Sequence, residues 1–400
     1  MKLLQINVTA NVGSTGRIAE QIGLTAINDG WDSYIAYGRS ATESKSKLIK
    51  LGSIWSILWH GVITRMFDRH GLGSAMATRR LVSMIRKMQP DIIHLHNIHG
   101  YYLNYKVLFN YLKTADIPVV WTLHDCWAFT GHCAHFVEAD CSKWMSQCSE
   151  CPLKHSYPKS FADRSKKNHL LKRSLFSGLG DQLTIVTVSS WLKHYVERSF
   201  LNSSRVINIY NGIDLDVFRP QKVSSKIKTT KRVVLGVSSV WNDSKGLGDF
   251  IKLRNLLSPD IVIYLVGLSN DSVINLPEGI ECIERTDDVE ELAGIYSRAD
   301  VFVNPTYADT FPTVNLEALA CGTPVVSYNT GGSSESLLSS TGMVVDQGCV
   351  EDLAYAVNTI LANGKEYYSH SCRERAESLF DNGKCFARYI DLYKELLSSD

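Results

Sequence analysis

Short apolar runs rich in β-branched residues, each followed by a stretch of helical periodicity, recur along almost the whole chain. Leu3–Val8, Ser33–Tyr37, Ile92–Leu95, Val119–Leu123 and Thr184–Val188 are the runs of the first half. Val233–Val237, Ile261–Val266, Val301–Val303 and Val325–Ser327 are those of the second. Strands of this length alternating with helices predict βαβ units and parallel sheets. At 400 residues the chain has material for two or three domains, each with its own core. The reading is an α/β protein of two doubly wound, Rossmann-like domains with a cleft between them. The polar, basic and aperiodic segment Phe218–Lys231 is the expected linker.

Charge and hydropathy exclude several classes. A formal net charge of +1 gives no global attraction to nucleic acid, so no nucleic-acid partner is expected. No apolar stretch approaches the roughly 18 to 20 residues of a membrane span. The opening M-K-L-L-Q-I-N-V reads as a first strand and not as a signal peptide. A cytoplasmic protein is expected, its cysteines reduced unless they bind metal.

The stretch from Tyr307 to Gly332, Y-A-D-T-F-P-T-V-N-L-E-A-L-A-C-G-T-P-V-V-S-Y-N-T-G-G, reads as loop, short helix and buried strand. Asp309 lies in the loop and Glu317 in the helix, with seven residues between them. Pro312 suits the first helical turn, where the N–H groups have no intrahelical partner. Those groups and the positive end of the helix dipole favour a phosphate. Glu317 is placed to accept from a hydroxyl of the group that carries the phosphate, which suggests a nucleotide sugar. Read singly, both acids are also ordinary helix-start residues. Gly331 and Gly332 follow the strand, where backbone can approach a ligand closely.

Three further segments carry polar loops after strands. Asn11-Val12-Gly13-Ser14-Thr15-Gly16 is a glycine-rich turn ahead of a helix expected from Arg17. It is not G-x-G-x-x-G, and the second strand ends toward Arg39 without an acidic residue, which argues against a nicotinamide dehydrogenase. Asn211-Gly212 reads as a turn after a strand, followed by Asp214. Lys245, between Ser244 and Gly246, lies in a loop after a strand, where open α/β sheets bind ligands, and suits a diphosphate.

Lys245-Gly246, Asn211-Gly212-Ile213-Asp214, the acid-x7-Glu element ending E-A-L-A-C-G-T-P-V-V and the later Gly331-Gly332 together resemble the retaining glycosyltransferases of family 4. D-I-I-H-L-H-N-I-H-G-Y-Y-L-N and W-T-L-H-D-C-W-A-F-T-G-H-C are similar to bacterial members that build exopolysaccharide and O-antigen units. The resemblance implies a GT-B fold. Residues 1–210 would form an acceptor domain, 211–380 a donor domain, and 381–400 a helix crossing back. It implies that Glu317 holds the ribose hydroxyls, Asp309 contacts the sugar and Lys245 neutralises the diphosphate. Amides of Phe311, Thr313 and Val314 would receive phosphate, and His124 would lie near the transferred sugar. Gly13, Gly16, Asn211, Gly212, Gly331 and Gly332 complete the donor-binding set. No catalytic metal is required, and UDP is favoured over GDP. The acceptor would be a lipid-linked saccharide.

Two positions depart from the family pattern: Asp309 stands where Glu is usual, and Val240 where an arginine commonly precedes the lysine. Alternatives are a nucleotide-sugar 2-epimerase on the same fold or a non-catalytic nucleotide-sugar-binding protein.

The insertion 126–151 is dense in cysteine. Cys133, Cys141, Cys148 and Cys151 form C-x7-C-x6-C-x2-C, whose last arm has the spacing of a zinc knuckle, so a structural zinc is expected, with free or buried thiols, or disulfides in an oxidising compartment, as the alternatives. Ile54–Phe67 places Trp55, Leu58, Trp59, Val62, Met66 and Phe67 near one helical face, with Arg65, Arg69, Arg79, Arg80, Arg86 and Lys87 nearby in sequence and Lys159–Arg173 adding a further basic stretch. That face suits either the core or an anionic membrane surface, the latter giving a peripheral protein on the inner face of the cytoplasmic membrane.

Overall fold

The computed structural model of the chain describes residues 1–221, 226–268, 276–284, 286 and 288–398. They form two compact α/β units: residues 1–210 with the chain end from Cys385, and residues 211–384. The segment Phe218–Lys231 is therefore not the boundary. Phe218 and Ile227 are buried in the second unit and Lys226 pairs with Glu291 at 2.7 Å, so apolar anchors hold both sides of it. Its residues 222–225 lie outside those described.

The first unit holds a seven-stranded sheet of β1 (Lys2–Asn7), β2 (Asp32–Tyr37), β3 (Lys47–Lys50), β4 (Ile92–Leu95), β5 (Val119–Leu123), β6 (Leu183–Thr187) and β7 (Arg205–Asn208). Its order is β3-β2-β1-β4-β5-β6-β7, and every pairing is parallel. β4, β5 and β6 are buried along their whole length, as helices on both faces require. The last helix, Asn382–Ser398, belongs to this unit from Cys385 onward. Its Phe386, Tyr389, Ile390 and Tyr393 share a core with Leu3, Ile18, Ile22 and Trp31. Burying an aromatic or aliphatic side chain of this kind contributes about 1.5–3 kcal/mol, so the helix is a structural part of that unit.

The second unit holds β8 (Arg232–Val237), β9 (Ile261–Val266), β10 (Ile280–Ile283), β11 (Val301–Asn304), β12 (Val325–Tyr328) and β13 (Gly342–Val345). Their order is β10-β9-β8-β11-β12-β13, again all parallel. In both sheets the strand order reverses once, beside β1 and β4 in the first and beside β8 and β11 in the second. Loops leaving the carboxyl ends of strands at such a reversal form the usual ligand crevice of open α/β sheets.

Candidate active site

In the second unit the reversal point brings together the loops after β8 and β11. The β8 loop ends in a short 3-10 turn, Asp243–Lys245, capped by the Asn242 side chain, which accepts from the Lys245 N–H at 3.0 Å. Gly246 follows with φ +71°, and a Cβ there would come within 2.3 Å of the Pro305 carbonyl, so only glycine lets the two loops meet. Tyr307 N–H donates to the Ser244 carbonyl at 2.8 Å and ties the loops further. Lys245 Nζ then lies 2.9 Å from Asp309 Oδ2 and 3.4 Å from Thr306 Oγ1. Both charged side chains keep partial solvent access, 34% and 24%.

Asp309 also accepts from the Phe311 N–H at 3.2 Å through its other oxygen. The Phe311 amide thus already serves Asp309, and an expected phosphate role for it has to compete with that bond. Pro312 is the cap residue with extended backbone (ψ 115°), not part of the first turn, and the helix runs Thr313–Ala320. Thr313 and Val314 therefore supply the first-turn N–H groups, which no intrahelical carbonyl reaches. Glu317, in the same helix, is 8% exposed, and the Tyr296 hydroxyl donates to its Oε2 at 2.8 Å. Tyr296 comes from the helix Val289–Arg298, and nothing in its local sequence marked it.

Gly331 and Gly332 lie against the Asp309 loop. A Cβ on Gly331, whose φ is +55°, would fall 1.7 Å from the Asp309 carbonyl oxygen, and Gly332 N–H donates to Thr310 O at 3.1 Å. The close approach expected of this pair is thus made to protein backbone. Beside it, the Thr330 and Ser333 hydroxyls are buried without a hydrogen-bond partner among the described residues. Buried hydroxyls are normally satisfied, so these two are candidates for ligand contact. Asp249, which sequence reasoning missed, is buried and accepts from Tyr307 and Tyr328 hydroxyls at 2.7 and 3.0 Å, bracing the loop that bears Asp309.

Asn211 and Gly212 begin the second unit. They make no turn: Ile213 pairs with Asp381 in a parallel bridge, and a Cβ on Gly212 would meet the Asn382 Cα at 2.5 Å. Glycine is needed there because two backbones run side by side. Asp214 caps the next turn through the Asp216 and Val217 amides.

In the first unit the helix after β1 starts at Gly13, not at Arg17, with Val12 as an extended cap. Gly13 faces open space, whereas a Cβ on Gly16 would meet Thr9 Oγ1 at 2.7 Å. His124, directly after β5, stacks on His96 with ring centroids 5.4 Å apart. Burial lowers the His124 pKa to about 4 and that of His96 well below its ordinary value, so both are neutral near pH 7. A chain of bonds sets their tautomers. Gln5 Nε2 donates to Ala19 O at 2.8 Å, which turns Gln5 Oε1 toward His96 Nε2 at 3.0 Å. His96 Nε2 must then carry the proton, and its Nδ1 accepts from His124 Nε2 at 3.1 Å. His124 is left with Nδ1 as its acceptor atom.

Next to it stands a pair that sequence reasoning did not single out, although His-Asp adjacency was visible. Asp125 Oδ2 lies 2.8 Å from His99 Nε2, and His99 Nδ1 lies 3.2 Å from the Tyr157 hydroxyl. Burial alone would raise the Asp125 carboxyl, but the charge and hydrogen bond of His99 outweigh it and bring it to about 2.

The helix Ile54–Phe67 is inverted relative to a core helix. Its buried residues are His60 and Thr64, while Trp55 and Trp59 are 77% and 64% exposed, with Ile54, Leu58, Val62, Met66 and Phe67 exposed beside them. The core-facing reading of this helix is thereby corrected: His60 accepts from the Gly71 and Gly73 amides at 3.1 Å each, so the polar side is the one tied to the fold. Among the described residues no helix is long and apolar enough to cross a membrane.

Comparison with known proteins gives the class. Residues 29–217 match a family model described as Glycosyltransferase Family 4, and residues 231–363 one described as Glycosyl transferases group 1. The chain belongs to this family of glycosyltransferases, and its two sheets form the GT-B fold. Over 99% of its length it is 25% identical to all of WcaC of Escherichia coli (strain K12), whose name places it as a glycosyl transferase of colanic acid biosynthesis. Among solved structures it is similar to sucrose-phosphate synthase from Thermosynechococcus elongatus (TM-score 0.74, 18% identity, all of both chains covered). It is also similar to Alr3699/HepE of Anabaena in complex with UDP-glucose (TM-score 0.64, 14% identity, all of both chains covered).

Proposed function

We propose that this glycosyltransferase is a retaining enzyme of surface-polysaccharide assembly. It moves a hexose or N-acetylhexosamine from a nucleoside-diphosphate sugar, UDP ahead of GDP, to a lipid-linked saccharide at the cytoplasmic membrane surface. The observation that carries the reading is the Lys245–Asp309 pair at the strand-order reversal, beside the helix start at Thr313. Full-length similarity to WcaC supports the pathway class, and the UDP-glucose complex of Alr3699/HepE supports the donor class.

Breaking the anomeric bond develops negative charge on the departing diphosphate. Fixed donors stabilise that charge better than mobile water, because they are already oriented. Lys245 supplies the ammonium, and the Thr313 and Val314 amides supply the helix-start dipole. Asp309 contacts sugar hydroxyls and Glu317 the ribose. No side chain acts as a covalent nucleophile, and the leaving phosphate takes the acceptor's proton on the same face. A thermal-shift panel of nucleoside diphosphates and nucleotide sugars tests the donor. Stabilisation by UDP and a UDP-sugar is expected, followed by acceptor-dependent release of UDP. Release of an epimerised nucleotide sugar without acceptor would overturn the reading.

A further inference from the structure

From residue 124 to 164, between β5 and the helix Ser165–Phe176, the chain has only two short 3-10 turns. Segments this long with so little regular structure are uncommon in a compact domain and call for some other tie. Cys133, Cys141, Cys148 and Cys151 all line one small cavity in this segment, of about 10 Å³, which is roughly the room of a single water or ion. The described cysteines are free of disulfides, and the Cys133 and Cys151 side chains share a hydrogen bond.

A backbone donor and basic side chains border these sulfurs. The Gly131 N–H donates to Cys148 Sγ at 3.2 Å, and the Leu153 N–H donates to Cys151. His132 borders the same cavity; Asp68 holds its Nδ1 at 2.6 Å, and its buried Nε2 has no hydrogen-bond partner among the described residues. Lys172 is 1% exposed, donates to the Trp127 and Thr130 carbonyls, and forms no ion pair with a carboxylate among the described residues. Burial disfavours its ammonium form, and anionic sulfurs nearby would favour it.

We propose that Cys133, Cys141, Cys148 and Cys151 bind one structural zinc ion that fastens this segment to the first unit. Four thiolates around Zn²⁺ carry a net charge of −2, which Lys172 and the N–H donors offset. His132, oriented by Asp68 through its Nδ1, lines the site beside these sulfurs. Among the described residues no three such side chains stand at metal-bonding spacing, so binding draws the thiolates inward by side-chain rotation. The segment carries Tyr157, whose hydroxyl meets His99, so the zinc would also fix that contact.

The test is metal analysis of the full-length protein purified under reducing conditions and equilibrated with Zn²⁺ before desalting. One zinc per chain is expected, released as four equivalents of a mercurial bind the four cysteine sulfurs. Cys148→Ser and Cys151→Ser should lose the metal, while Cys282→Ser, in the other unit, should keep it. A wild-type protein without stoichiometric zinc, a disulfide among the four cysteines, or full zinc retention by both variants would each overturn the assignment. Because the wild-type measurement needs no variant to fold, the outcome does not depend on variant stability.

Discussion

Lys245 Nζ lies 2.9 Å from Asp309 Oδ2, joining the loop after β8 to the loop after β11 at the point where the second sheet reverses its strand order. The pair holds a cation and a short-armed carboxylate ready at the carboxyl edge of the sheet. Removing the ammonium by Lys245→Ala should lower kcat by about 10²–10³-fold, the usual loss for one donor to a developing anion. The variant should still fold, because the lysine is partly exposed. Sugar transfer near the wild-type rate would remove Lys245 from the diphosphate site.

Glu317 depends on a partner far away in sequence. Tyr296 donates to its Oε2 and so fixes the orientation of the carboxylate. Glu317→Gln should chiefly weaken nucleoside-diphosphate binding, with a smaller change in kcat. Tyr296→Phe should weaken binding less, since it removes only the orienting bond, about 1.5–3 kcal/mol at most for a bond to a charged group. Calorimetry on both variants and the double variant checks this. Unchanged UDP affinity in Glu317→Gln would count against the role.

The strands that were legible and those that were not differ in position. Buried runs such as Ile92–Leu95 and Val119–Leu123 announce themselves as continuous apolar segments. Lys47–Lys50, Ile280–Ile283 and Gly342–Val345 give weak signals because they are four-residue sheet edges, partly exposed, with charged residues in the first two and a glycine opening the third. Among site residues, Lys245, Asp309 and Glu317 sit beside turn and helix-start signals, so local sequence located them. Tyr296, Asp249 and His99 act through contacts 21 to 79 residues away, and no local pattern encodes those. The exposure of Trp55 and Trp59 was also undecidable from periodicity, which fixes which residues share a face but not what that face meets.

Gly331 gives a steric test of the same loop. With φ +55° and the Asp309 carbonyl 1.7 Å from where a Cβ would sit, Gly331→Ala must displace backbone. Activity should fall further than in Lys245→Ala, together with a lower thermal midpoint. Gly248→Ala, within a helix and with nothing within 4 Å of its Cβ position, is the control and should retain both. Equal behaviour of the two variants would show that the Gly331 contact does not shape the site.

The exposed face of Ile54–Phe67 predicts a surface-binding phenotype. Trp55, Trp59 and Phe67 are exposed, as are Met76 and Phe161, and the Arg65 guanidinium lies 4.9 Å from the Phe161 ring centre. Aromatic residues beside arginine suit the interface of an anionic bilayer. The protein should float with vesicles containing anionic lipid and less with neutral ones. The double change Trp55→Ser and Trp59→Ser should abolish flotation while leaving UDP binding intact. Retained flotation in that variant would assign membrane contact elsewhere.

Buried histidines set a pH limit on stability. Burial lowers His60 and His124 from 6.5 to about 4, and lowers His70, His94 and His96 well below 6.5. Above pH 6.5 these groups are neutral in both folded and unfolded chains and contribute nothing to the balance. As pH falls below that value the unfolded chain takes up protons that the folded chain refuses, so unfolding becomes easier. Each such histidine removes at most about 1.4 kcal/mol per pH unit across this window. Asp125 acts in a lower range: its stabilisation is complete above its ordinary pKa of 3.8 and is lost only as pH falls through about 2. The histidine contribution to the thermal midpoint should therefore be nearly level above pH 7 and fall steadily from pH 6.5 toward 4. His60→Gln, whose side-chain oxygen can still accept from Gly71 and Gly73, should make that fall shallower. A midpoint that stays constant down to pH 4.5 would mean that these histidines gain protons in the folded protein after all.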